Sequence, residues 1–299
     1  MSKSTRIELR AVGKTLTFTA GAPQIMGIIN TNPGSFSDVT HLSTTDQQLA
    51  AALAMVDKGA SIIDVGTDSG VTYGDSIDLD VQISRAIPLI EALVARDVTV
   101  SVDTPYVEVA RACLEVGAAI INDVSGLADP AMAKVCAEHD AALVIMHTRI
   151  GHKQEAFIDF DDVVADVEQY LTEQRELAEA QGLGAQQIIF DPGIGYAKHP
   201  KDDVHVFRAY PRFAALGQAI LTGASRKYYA GVITGALPQD RLPETLATVE
   251  AVRPFPGIVR VHDVDEVARF LAVAQTLDGL LPLPEHDPDD DTLKWVPTT

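Results

Sequence analysis

Val98-Thr99-Val100-Ser101-Val102-Asp103 is an apolar run closed by a carboxylate. An amphipathic stretch follows over 107–116, and Ala119-Ile120-Ile121 then begins a second run that ends in Asn122-Asp123. Short runs that are apolar on both faces suit strands covered on both sides. A helical stretch between two such runs suits the crossover that parallel strands require. The segment therefore reads as one strand–helix–strand unit.

The same unit recurs in both directions. Strand candidates lie at 24–29, 61–65, 98–102, 119–121, 142–146, 187–190, 219–222 and 258–261. Amphipathic stretches at 47–57, 81–95, 107–116 and 163–181 separate several of them. Eight β/α units in a chain of 299 residues predict an α/β fold of the TIM (β/α)8 type. A doubly wound sheet is the competing arrangement, and the lack of Gly-x-Gly-x-x-Gly after the first run counts against its dinucleotide-binding form. Ahead of the first unit, 7–18 alternates around Gly13-Lys14 and predicts an N-terminal β-hairpin. Beyond residue 280 the chain turns Pro-rich and acidic, as in Pro282-Leu283-Pro284-Glu285, which predicts a C-terminal tail over 280–299.

Composition narrows the partners. Lys and Arg number 23 against 42 Asp and Glu, for a net charge of −19. Such acidity argues against nucleic acid or an anionic membrane as a partner. It leaves room for a small anionic substrate held by a local basic pocket. The segment from Met1 to Leu9 lacks the apolar core of a signal peptide, and no window reaches the ~18 apolar residues of a membrane span. A cytoplasmic location is expected. Cys113 and Cys136 match no metal-ligand spacing and read as buried thiols.

In a TIM barrel, chemistry sits at the C-terminal ends of the strands. Here those ends carry Asn30, Asp64, Asp103, Asn122-Asp123, His147, Asp191, Ser225-Arg226-Lys227, and Arg260 with His262. Helix capping would account for one or two of these, Asp123 and Asp263 first. A polar site built from many strands accounts for the rest. Asp103, Asn122 and Asp191 offer acceptors that suit the amidine-like edge of a nitrogen heterocycle such as a pterin or guanine. Arg226, Lys227, Arg260 and His262 offer positive charge from the last two strands, where TIM barrels often hold phosphate. Gly193 and Gly195 form a tight loop after Asp191. His139, His199 and His205 read as ordinary surface residues, and no zinc motif is present.

These segments together resemble the dihydropteroate synthase family of pterin-binding enzymes over about residues 25–271. The resemblance is carried by Ile25-Met26-Gly27-Ile28-Ile29-Asn30, Ser35-Phe36-Ser37-Asp38, Ser101-Val102-Asp103-Thr104, Ile121-Asn122-Asp123-Val124 and Met146-His147. Asp191-Pro192-Gly193-Ile194-Gly195, Ser225-Arg226-Lys227 and Arg260-Val261-His262-Asp263 complete it. It implies a pterin-binding barrel over 1–279 and a transferase of folate biosynthesis. Such an enzyme joins 6-hydroxymethyl-7,8-dihydropterin diphosphate to 4-aminobenzoate and releases pyrophosphate. By resemblance, Asp103, Asn122, Asp191 and Lys227 hold the pterin. Asn30, Arg260 and His262 hold the diphosphate, and Asn30 also binds Mg²⁺. Phe36, Tyr196, Ser225 and Arg226 border the aminobenzoate. Lys227, Arg260 and His262 are the catalytic set, and a homodimer is implied.

Two loops depart from the family pattern. Asn32 and Gly34 replace its usual Thr and Asp after the first strand, and Gly70-Val71 replaces its usual Thr-Arg after the second. Both loops of the family close over the diphosphate and shape the aminobenzoate pocket. The departures leave open an altered acceptor, a pterin-binding paralogue without turnover, and a pterin-dependent methyltransferase-type domain.

Overall fold

A two-residue turn at Val12-Gly13, with φ of 48° and 70°, joins β1 (Arg6–Ala11) to antiparallel β2 (Lys14–Thr19). Positive φ at both turn residues matches the right-handed twist of a tight hairpin. The computed structural model describes residues 6–31, 42, 44–68, 77–152, 154 and 156–285. The sequence places the hairpin where the structure has it.

The eight remaining strands close into a parallel barrel. In chain order they are β3 (Gln24–Asn30), β4 (Ile62–Gly66), β5 (Thr99–Asp103), β6 (Ile120–Asp123), β7 (Ala142–Met146), β8 (Ile188–Asp191), β9 (Ala219–Gly223) and β10 (Gly257–Val261). Each strand pairs with the next, and β10 closes onto β3, so sequence neighbours are neighbours in space. Helices cross between them: α1 (Thr45–Asp57), α2 (Leu79–Val94), α3 (Val107–Glu115), α4 (Ala131–Glu138) and α5 (Val163–Ala180). The second half adds α6 (Pro200–Arg208), α7 (Tyr210–Ala214), α8 (Tyr228–Thr234), α9 (Leu242–Val252) and α10 (Val264–Leu277).

Strand parity divides the core into two. Alternate residues of a strand face opposite sides. Met26, Ile62, Ile120, Val144, Ile189, Leu221 and Ile258 pack together inside the barrel, and Leu9, Ala11 and Phe18 of the hairpin pack with them. The hairpin thus closes the N-terminal end of the barrel with apolar side chains. Ile25, Ile63, Val65, Val102, Ile121, Ile145 and Phe190 have the other parity and pack against the helices. The interior series therefore runs apolar at the bottom and continues two residues later into polar groups at the top.

Helix starts follow local chemistry. Thr44 and Gln47 form a capping box at α1, with N–H to side-chain oxygen distances of 3.3 Å both ways. Asp162 Oδ1 accepts from the N–H groups of Val164 and Ala165 at 3.0 Å to start α5. Leu280 and Leu281, at the head of the expected tail, donate their N–H groups back to Gln275 O at the end of α10. Residues 286–299 of that tail lie outside the described residues.

Candidate active site at the barrel mouth

Two residues above the apolar interior layer stand Asp64 over Ile62, Asn122 over Ile120, Asp191 over Ile189 and Arg260 over Ile258. Asp103 shares this parity through Ser101 on β5. They face one another because the barrel closes. Arg260 Nε donates to Asp64 Oδ2 at 2.6 Å, and its Nη2 donates to Asp103 Oδ2 at 3.0 Å. Asn122 Nδ2 donates to the same Asp64 oxygen at 3.2 Å. One guanidinium is thus pinned flat between two carboxylates, with N–H groups to spare for a ligand.

A narrow cleft opens over this floor, lined by Asn122, Asp191, Ile194, Tyr196, Lys227 and Arg260, with Met146 on its side. Lys227 Nζ donates to Ile194 O at 2.7 Å and lies 5.1 Å from the centre of the Tyr196 ring. Asp191 Oδ1 accepts from the Gly193 N–H at 2.7 Å. Of the four residues assigned to a heterocycle by sequence, Asn122, Asp191 and Lys227 thus line one cleft, and Asp103 joins them through Arg260.

Burial sets the charge states. Asp103 is pushed up to about 7 by desolvation, which Arg260 opposes and the nearby carboxylates of Asp64, Asp123 and Asp68 reinforce. Burial also raises Asp191, against the Gly193 N–H and Lys227. It lowers Lys227, against Asp191 and Asp203. Arg260 is also disfavoured by burial, but Asp64 and Asp103 more than offset this and hold it cationic.

The anion side differs from the sequence expectation at His262. Its backbone N–H donates to Ser225 Oγ at 3.0 Å, while its ring Nδ1 is buried without a hydrogen-bond partner among the described residues. Burial and the cations of Arg260, Arg226 and Lys227 push it down to about 4, so the ring is neutral near pH 7. It offers a hydrogen bond there rather than the positive charge read from its residue type. Arg226 Nη2 pairs with Asp263 Oδ1 at 2.8 Å. Asp263 sits at the N-cap position of α10 but makes no side-chain cap, its Oδ1 being paired with Arg226 instead. Asn30, on the interior parity of β3, is buried at the mouth. Phe36, Asn32, Gly34, Gly70 and Val71 lie outside the described residues.

Asp123 and His147 have the outward parity and leave the mouth. Asp123 takes the N–H groups of Ser125 and Leu127 at 2.8 and 2.9 Å, so it braces a turn instead of capping a helix as expected of it, because α4 starts only after Pro130. His147 is fully buried among the helices, 5.0 Å from the ring of Tyr170 on α5. Its Nε2 meets Asp166 Oδ2 at 3.0 Å, and its Nδ1 meets Lys198 Nζ at 2.8 Å. An ammonium has only protons to give, so Nδ1 is the acceptor and Nε2 carries the ring proton to Asp166. Burial and Lys198 push His147 down to about 3.

Lys198 is a buried residue that sequence reasoning missed. Besides His147, its Nζ donates to Gly193 O at 2.8 Å and Tyr196 O at 3.2 Å. It therefore holds the 193–196 turn from behind, while Lys227 holds Ile194 from the cleft. Gly193 has a φ of 68°, and a Cβ there would stand 2.0 Å from His147 O, so this close approach needs glycine. The pair of glycines was the only signal in the sequence for this turn, and nothing in it marked Lys198.

Among the described residues, no group of three or more His, Cys, Asp or Glu side chains could hold a metal ion. A donor set built from one amide oxygen is a different case. Mg²⁺ at phosphate-transfer sites is commonly held by one or two protein oxygens together with substrate phosphates and waters. Asn30 at the mouth, with an amide oxygen on the strand next to Arg260 and His262, fits that pattern.

Comparison with known proteins agrees with this geometry. A family profile described as "Pterin binding enzyme" matches residues 26–262. The dihydropteroate synthase of Synechocystis sp. is 37% identical over 89% of this chain and 94% of its own length. Among solved structures, Xanthomonas albilineans dihydropteroate synthase with 4-aminobenzoic acid superposes with a TM-score of 0.82 at 34% identity, covering 94% of this chain and 100% of that chain. The same enzyme in complex with 7,8-dihydropteroate gives 0.79 at 33% identity, covering 93% and 100%.

Proposed function

The chain belongs to the pterin-binding enzyme family, among the dihydropteroate synthases, and from that premise we propose how its own residues divide the work. The activity is that of a transferase in folate biosynthesis. It condenses 6-hydroxymethyl-7,8-dihydropterin diphosphate with 4-aminobenzoate to give 7,8-dihydropteroate and pyrophosphate.

In this reading Asp103, Asn122 and Asp191 receive the amino-pyrimidinone edge of the pterin. Asp191 has one oxygen on Gly193 and keeps the other for the ligand. Lys227 lies along the same cleft and holds the pterin from the side of Ile194. The N–H groups that Arg260 does not spend on Asp64 and Asp103, with the neutral His262 ring and Asn30, take the diphosphate. Asn30 is the protein ligand for Mg²⁺, which neutralises charge on the leaving oxygens when bound. Phe36, Tyr196, Ser225 and Arg226 border the aminobenzoate, whose carboxylate suits the cationic side of the mouth.

The reaction breaks the C–O bond between the pterin methylene and the diphosphate, and the electron pair leaves with the oxygen. Arg260 and Lys227 stabilise the negative charge that grows there. The lone pair of the neutral arylamine forms the new C–N bond, and the resulting ammonium gives its proton to water. An arylamine is nucleophilic without deprotonation. A His–Asp dyad at the mouth is therefore unnecessary, and the His147–Asp166 pair faces the helices instead.

The observation that carries this reading is the convergence of Asp103, Asn122, Asp191, Lys227 and Arg260 on one floor and cleft. Purified protein with Mg²⁺ is expected to release pyrophosphate only when both substrates are present. Release that does not depend on 4-aminobenzoate would contradict it. The proposal also includes a homodimer and a cytoplasmic location. Tyr228, Val232, Ile233 and Leu237 expose 55–67% of their surface on and just after α8, and Leu277 on α10 exposes 82%. Such an apolar face suits a second copy of the chain. No helix among the described residues is long and apolar enough to cross a membrane.

A further inference from the structure

Arg241 precedes α9 and is only 9% exposed, yet it pairs with no carboxylate among the described residues. A buried guanidinium without a counter-ion is costly unless its N–H groups are all well used. Here they go to main-chain carbonyls. Nε donates to Ala236 O at 2.9 Å, and Nη1 donates to Arg226 O at 3.0 Å and Lys227 O at 3.2 Å. The last two carbonyls belong to the loop that carries Ser225, Arg226 and Lys227.

That loop needs an external hold. Arg226 has a φ of 56°, a conformation unfavourable for a residue with a side chain. Its N–H is taken by Thr245 Oγ1 at 3.2 Å, and Thr245 Oγ1 in turn donates to Arg241 O at 2.9 Å. Gly231 on α8 makes the space. A Cβ there would stand 2.1 Å from Arg241 Nη2 and 2.4 Å from its Cζ. So α8 presents bare backbone where the guanidinium lies against it.

We propose that Arg241 is a positioning residue for the 225–227 loop, fixing from behind the backbone that aims Lys227 into the cleft and Arg226 at Asp263. Arg241 is not among the residues that line that cleft. Lysine cannot span the three carbonyls with a planar fork, so the site calls for arginine rather than any cation. The inference rests on the synthase reading above. It adds that the reaction depends on a residue whose guanidinium donates to backbone carbonyls rather than to a ligand.

The test compares Arg241→Met, Arg241→Lys and Gly231→Ala with the parent protein. Each is measured for pyrophosphate release, for thermal midpoint, and for binding of 6-hydroxymethylpterin, which lacks the diphosphate. Gly231→Ala displaces the guanidinium without removing it, and alanine is the better helix former, so this variant folds even if Arg241→Met does not. Misplacing a catalytic group by about 1 Å costs about 10²-fold. Turnover is expected to fall about that far in Arg241→Met and Gly231→Ala, while pterin binding falls by much less, because the Asp103–Asp191 floor is left in place and Lys227 supplies only part of the hold. Arg241→Lys should recover part of the loss. The double variant should be no worse than the worse single one, because both act on one contact. Unchanged turnover in folded Gly231→Ala would overturn the proposal, and so would pterin affinity falling in step with turnover. An inactive parent protein would instead overturn the synthase reading.

Discussion

Asp103 is a carboxylate that desolvation drives up to about 7, with Arg260 opposing. Its ionised form accepts two parallel N–H bonds from a pterin edge and holds them more strongly than the protonated form does. Pterin affinity should therefore weaken as pH falls through about 7, by up to about tenfold per unit below it. Near pH 7, binding should release a proton, because the ligand's donors draw the pKa back down. Calorimetry in buffers of different ionisation enthalpy measures that proton. Proton uptake, or affinity that stays flat from pH 8 to 6, would contradict the assignment. Asp103 was legible in the sequence as a strand-end acceptor. Its pairing with Arg260 was not, because the two residues are 157 positions apart and meet only when the barrel closes. Residue type likewise suggested a positive His262, whereas its surroundings make it neutral.

At the scale of elements, strand parity sorted the strand-end residues into two groups. Asp64, Asn122, Asp191 and Arg260 continue the inward series of Ile62, Ile120, Ile189 and Ile258, while Asp123 and His147 are one residue out of phase. That period-two rule was available in the sequence, and it assigns His147 to the helix side. Lys198 was not available, since it follows a turn whose path depends on glycine dihedrals and on contact with β7. Replacing Lys198 by Met should leave the buried His147 Nδ1 unpaired, at about 1–3 kcal/mol, and release the Tyr196 carbonyl, while Gly193 O keeps the Tyr196 N–H. The thermal midpoint should drop, and turnover should fall with it, because the 193–196 turn supports Lys227. A variant as stable as the parent would refute this account of the turn. For the sequence after β4, Gly70→Thr combined with Val71→Arg restores the Thr-Arg pair usual in the family. It should raise turnover or diphosphate affinity by up to about 10²-fold, and unchanged kinetics would remove the loop from the explanation.

At the scale of the whole molecule, a net charge of −19 surrounds a mouth where Arg226, Lys227 and Arg260 are gathered. The barrel, its hairpin and the order of its elements were legible because each β/α unit is local in sequence. The apolar faces of α8 and α10 were not, since they emerge only when the helices are set around the barrel. If those faces meet a second copy, light scattering should give twice the 32.0 kDa chain mass. Val232→Glu with Ile233→Glu should then give the single mass, and a parent already at the single mass would rule the dimer out. The central claim is that one cleft binds both substrates and joins them. Its most direct test is to count products by mass spectrometry and a phosphate assay in the same reaction. The account predicts one 7,8-dihydropteroate for each pyrophosphate released, and pyrophosphate formed without dihydropteroate would contradict it.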